Sequence, residues 1–171
     1  MKKKSINRYL NRHTAYVIVH PDEYAIGVSP ITGQNADSYM ISLKNRIRTL
    51  LKKHVRVYLL NLALETLDPP PYLNDFQKHN NFHVIPVFKD DAIDSQVRRL
   101  QMALMAFTRL EQIVFTGGWH NACLKYTLNN TLSGIPRIQF VDRIDHPLAA
   151  QVCFESKTVH VIVRVDHEFV F

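Results

Sequence analysis

Apolar residues along this chain switch repeatedly between two spacings. Thr14–Val19, "TAYVIV", is β-branched and apolar, which predicts a short buried strand that Pro21 closes. Residues 21–36 carry Gly27, Pro30 and Gly33 and read as a long loop of the kind that shapes sites. In "DSYMISLKNRIRTLLKK" the positions Tyr39, Met40, Leu43, Ile47, Leu50 and Leu51 recur every three or four residues. That spacing predicts an amphipathic helix capped by Asp37 or Ser38, with Lys44, Arg46, Arg48, Lys52 and Lys53 on its outer face. Val55–Ala63 is apolar nearly throughout, as a strand covered on both faces would be. "LDPPPYLND" interrupts regular structure at its prolines, and Tyr72–His79 can form a short helix. "FHVIPVF" predicts a third strand running up to Lys89, with Pro86 marking a sheet edge because proline removes a ladder donor.

Helical spacing returns in "DDAIDSQVRRLQMALMAFTRL" through Val97, Leu100, Leu104 and Phe107. A fourth strand at Ile113–Thr116 leads into a helix over Ala122–Ser133 that Gly134 ends. "RIQFV" and "TVHVIVRV" supply a fifth and a sixth strand. Strands alternating with helices predict an α/β three-layer sandwich around a mainly parallel six-stranded sheet. One domain accounts for residues 1–171, with 1–12 as a basic N-terminal tail. The apolar ending "DHEFVF" is expected to be packed, against the sheet or across a dimer.

Composition narrows the function classes. Apolar residues are 46% and charged residues 21% of the 171, ordinary for a globular protein, so a core of normal size is available. No apolar run reaches the length of a membrane span, and Ala15–Val19 is too short for a signal-peptide core, so a cytoplasmic protein is expected. Two cysteines, Cys123 and Cys153, make no disulfide scaffold. Nine scattered histidines without a tight Cys/His cluster predict no metal site. The net charge of +6 invites a nucleic-acid reading, but much of it lies in Lys2, Lys3, Lys4, Arg8 and Arg12. Without interleaved aromatics a nucleic-acid partner is not expected.

In open parallel sheets, ligands bind beyond the carboxyl ends of the strands. His20 and Asp22 leave the first strand, Lys89 the third, and Gly117 to Cys123 the fourth. An imidazole, a carboxylate, an amine and a thiol would then share one end of the sheet. A thiol at the start of a helix gains from the helix dipole, and free N–H groups there can hold an oxyanion. The chemistry this suggests is a cysteine hydrolase. The plainer reading of each residue is a buried small cysteine, a strand-end histidine, a turn carboxylate and a surface lysine.

"IVFTGGWHNACLKYTLNNTLSG" resembles the signature of the isochorismatase-like cysteine hydrolases, which include nicotinamidases and carbamoylsarcosine amidase. Their pattern is strand, Gly, five residues, Cys, three residues, Thr, and Gly117, Cys123 and Thr127 fit it. Lys89, after a strand and before a helix, matches the family's catalytic lysine. The resemblance implies an isochorismatase-like parallel sheet, a homo-oligomer, no cofactor here, and hydrolysis of the C–N bond of a small amide. It implies Cys123 as nucleophile and an oxyanion pocket formed around Gly118, Trp119 and His120, shaped by a cis peptide near Gly118–Trp119. It also implies an aspartate base at the end of the first strand, where this chain has "VIVHPDEY". His20 stands in the aspartate position, with Asp22 two residues on. The Asp-x-His metal ligands of nicotinamidases have no counterpart, so no metal is expected. Two readings stay open: an amidase with His20 or Asp22 as base, or a non-catalytic relative that binds a ligand or a protein.

Overall fold

The computed structural model describes residues 10–22, 26–27, 36–64, 67–87, 93–118, 120–134, 139–143, 148–154 and 157–171. Strand β1 (Thr14–Val19) is followed by helix α1 (Ala36–Lys52), β2 (Arg56–Leu64), a 3-10 turn (Pro71–Phe76) and β3 (Phe82–Val87). Helix α2 (Ile93–Met105), β4 (Gln112–Gly117), a π-helical turn (His120–Leu124) and α3 (Lys125–Gly134) come next. The chain then forms β5 (Gln139–Arg143), β6 (Leu148–Phe154) and β7 (Lys157–Val170).

All seven strands share one sheet in the order β3-β2-β1-β4-β7-β6-β5. The first five in that order pair in parallel. The last two are antiparallel additions, β6 against β7 and β5 against β6. The α/β class and the parallel core therefore hold, while the expected six strands become seven. The additional strand, "LAAQVCF", mixes alanine and glutamine with few β-branched residues, so its pattern carries little strand signal. Among the described residues no helix lies between β5, β6 and β7, in contrast to the alternation that the first part of the chain follows. β3 is an edge strand, which is where Pro86 is tolerated.

Period-two alternation in β1 sends its side chains to opposite layers. Ala15, Val17 and Val19 join Leu100 and Leu104 of α2 and Leu128 and Leu132 of α3. Tyr16 and Ile18 join Leu43, Ile47 and Leu50 of α1 on the other face. Helices thus cover both faces of the parallel strands, as the apolar character of β1 and β2 requires. One sequence expectation fails in detail: Arg46 is buried rather than on the outer face of α1.

The apolar ending is packed inside the same chain. Phe169 and Phe171 are buried, and both lie edge-to-face with Tyr39 of α1, at 5.9 and 5.3 Å between ring centroids. The Tyr39 hydroxyl donates to the Phe169 carbonyl at 2.6 Å. Covering this segment needs no second copy. Among the described residues no helix is long and apolar enough to cross a membrane.

Candidate functional site

β1 lies between β2 and β4, its partners on the two sides. The chain leaves β1 toward β2 and returns on the other side as β4. A change of direction of this kind opens a crevice at the carboxyl ends of the two strands. His20 and Asp22 follow β1 there, and Gly117 and Gly118 end β4.

The glycine pair is demanded by close approach. Gly117 has φ of 109°, a backbone region that L side chains rarely enter, and a Cβ there would lie 2.2 Å from the Val19 carbonyl oxygen. Gly118 donates its N–H to that same oxygen at 2.7 Å. Its amide is therefore engaged with β1, and donors for an oxyanion must come from later residues. Trp119 and the Gly118–Trp119 bond lie outside the described residues, as does Lys89, since β3 ends at Val87. His120 opens the π-helical turn.

Cys123 sits within that π-helical turn, before α3 begins at Lys125, and not at the first turn of an α-helix. Such turns are rare and concentrate at functional sites. The thiol is free and half-buried, packed against the core beneath α3. Burial pushes its pKa up, its own backbone hydrogen bond lowers it, and the charge of Asp22 raises it further. Burial and the Asp22 charge thus act against the helix-start thiolate that spacing suggests. Thr127, one turn on, is fully buried.

His20 is fully buried at φ 47°, a left-handed conformation uncommon for histidine. Its N–H donates to the Leu60 carbonyl at 2.9 Å, so β2 holds this strained backbone. Nε2 lies 3.1 Å from Oε1 of Gln96, while Nδ1 is buried and has no hydrogen-bond partner among the described residues. Among the described residues no hydrogen bond joins the imidazole to the thiol. Asp22, half-buried, is close enough for its charge to act on both. Among the described residues no group of three His, Cys, Asp or Glu side chains is placed to hold a metal ion.

Gln96 is the site residue that sequence reasoning missed. It is fully buried in α2, and its Nε2 donates to the carbonyls of Asn61 and Ile85 at 2.8 and 2.7 Å. The signal was present, since Gln96 lies four residues before Leu100 on the apolar stripe of α2, where a polar residue needs a partner.

Burial lowers the His20 pKa, and the Gln96 hydrogen bond and the Asp22 charge offset this in part. The ring is then neutral in the folded protein at a pH where the unfolded chain, near about 6.5, takes up a proton. Stability rises with pH wherever the unfolded state binds more protons. The His20 contribution to the unfolding free energy is therefore level above about pH 6.5 and declines as pH falls from there toward the folded-state value. His83, stacked on Tyr58, is shifted in the same direction by burial and by Arg56. Urea unfolding at pH 7 and pH 5 measures the combined decline, and His20→Asn, an exchange that left-handed backbone tolerates, should make it shallower. An unchanged slope in that variant would remove His20 from the account.

No family model, curated protein or solved structure matches this chain.

Proposed function

We propose that the crevice between β1 and β4 is the active site of an isochorismatase-like cysteine hydrolase acting on the C–N bond of a small amide. The observation that supports the reading is that Cys123 and a buried imidazole both lie within reach of the Asp22 charge, near the switch point of a parallel sheet. Pairs of this kind are a common route to an activated thiol.

In this reading the pair starts as thiol and neutral imidazole, since burial acts against the charged form of each. When an amide binds, the His20 ring takes the thiol proton as sulfur attacks the carbonyl carbon. The carbonyl electrons move to oxygen, then return as the C–N bond breaks. The imidazolium gives its proton to the departing nitrogen, leaving a thioester on Cys123. Water, deprotonated by the same ring, attacks the thioester, releasing the acid and restoring the thiol. The Asp22 carboxylate favours the imidazolium through its charge. Lys89 is assigned electrostatic support on its fit to the sequence pattern alone, and Trp119 and His120 the oxyanion pocket on the same ground.

A second reading has its own observation. The raised thiol pKa and the missing Cys123–His20 hydrogen bond also suit a non-catalytic relative that binds a ligand or a protein in this crevice. A panel of small amides separates the two. The hydrolase reading expects turnover of at least one member, abolished in Cys123→Ala and reduced on the order of 10²–10⁴-fold in His20→Ala. Amides that raise the melting temperature with no product formed would establish the binding module instead.

A further inference from the structure

We infer that Gln96 is a positioning residue that fixes which nitrogen of His20 is available as a base. This rests on the hydrolase reading for its purpose but not for its geometry. The side-chain amide of Gln96 has one edge that donates and one that accepts. Two backbone carbonyls, Asn61 of β2 and Ile85 of β3, lie 2.8 and 2.7 Å from its nitrogen. A carbonyl accepts and never donates, so the NH2 end must face them, and turning the amide over would set oxygen against two oxygens. The strands themselves thereby choose the orientation of Gln96. Its Oε1 is left facing His20 Nε2 at 3.1 Å, and an oxygen there requires a proton on that nitrogen.

A neutral imidazole carries one N–H, so Nδ1 is left with its lone pair. It is this nitrogen that is buried without a partner among the described residues. Nδ1 is therefore the nitrogen that can accept a proton, from Cys123 in the hydrolase reading, and Nε2–H···Oε1 anchors the ring while it does so. The backbone of His20, held at φ 47° by its bond to Leu60, fixes where the ring begins. Gln96 fixes how it ends. The charged side chain acting on the ring is Asp22, whose effect is to favour protonation, as that of the Gln96 oxygen is. Orientation of a histidine base by a hydrogen bond at its other nitrogen is the logic of catalytic dyads and triads, here supplied by a neutral amide.

Nitrogen NMR of the full chain labelled in histidine reads the tautomer directly, above the His20 titration. The Nε2–H form is expected alone in the wild type. An Nδ1–H form, or an even mixture, overturns the inference whatever the protein does to amides. Gln96→Leu removes the acceptor and puts an apolar side chain of similar size in its place. It should admit the second tautomer and shift the His20 titration to lower pH, because the oxygen that favours the imidazolium is gone. A folded Gln96→Leu protein with unchanged tautomer and titration also overturns it. Alkylation of Cys123 that ignores His20→Ala, with the wild-type ring in the Nε2–H form, would instead sink the hydrolase reading and leave the role of Gln96 standing.

Discussion

Gly117→Ala is expected to cost about 2–6 kcal/mol, since a side chain in a backbone region that favours glycine and an overpacked contact each add about 1–3 kcal/mol. Two independent faults meet at this position. At φ 109° an alanine is strained whatever space surrounds it, and its Cβ would also meet three backbone atoms of Val19 between 2.2 and 2.9 Å. Backbone in the middle of a parallel sheet cannot step aside as a flexible side chain can. Gly118→Ala is the milder neighbour, because its nearest contact is the Phe171 ring at 2.8 Å, and a ring can shift. Gly27, with nothing within 4 Å of an added Cβ, is the control, and an alanine there should stay within about 0.5 kcal/mol. Urea unfolding of the three variants gives the ranking. A Gly117→Ala protein as stable as Gly27→Ala would mean that β1 and β4 are not apposed as described.

The second large effect lies on the other face of β1. The parallel ladder between β4 and β7 breaks after Phe115, which pairs with Val165, and resumes with Gly117 against Val170. The bulged residues of β7 bring Asp166 into the interior, where its Oδ2 accepts from the Tyr16 hydroxyl at 2.7 Å. Thr116 donates to the Asp166 carbonyl at 2.8 Å. The cation opposite is Arg46 of α1, its Nη2 3.7 Å from Asp166 Oδ2 and bonded also to Glu168. The guanidinium lies over the Phe169 ring at 5.1 Å.

Arg46→Met keeps the bulk and removes the charge, leaving the Asp166 carboxylate buried without this partner. Breaking a buried pair in this way costs about 3–5 kcal/mol. The mechanism makes a further demand: Asp166→Asn should cost much less in the Arg46→Met background than in the wild type, since the stranded charge is then gone. A double-mutant cycle by urea denaturation measures this coupling. Additive losses, or a loss under about 1 kcal/mol for Arg46→Met, a value typical of exposed pairs, would mean that the pair is no more than a surface bridge.

Arg46 also marks a limit of reading a helix by pattern. Its neighbours Lys44 and Arg48 behave as outer-face cations, both near Asp75. Arg46 adjoins the buried Ile47, so the stripe places it at the margin of the apolar face. Whether such a residue turns outward or inward depends on a charge 120 residues later in β7, which no local window contains. Tyr39 is the converse case. Its buried side chain was legible from spacing, but its partners Phe169 and Phe171 were not.

The candidate site divides in the same way. The strand ends at Val19 and Gly117 were legible, because β-branched runs stop at proline and glycine for local steric reasons. Their convergence followed from the parallel alternation of the first four strands. The state of Cys123 was not legible, since spacing suggested a helix start and the dipole that lowers a thiol pKa. Burial and the nearby Asp22 push it the other way, and both are matters of what surrounds the turn.

Short-range sterics and hydrophobic period were thus enough to set the α/β class, the first four strands, the three helices and the edge position of β3. The tertiary structure alone decided the antiparallel addition of β5 and β6, the inward turn of Arg46, and the bond from Gln96 to His20. Each of these depends on partners far apart in the chain, where burial makes an unsatisfied polar group or charge too costly to leave, and that cost exists only once the layers have closed.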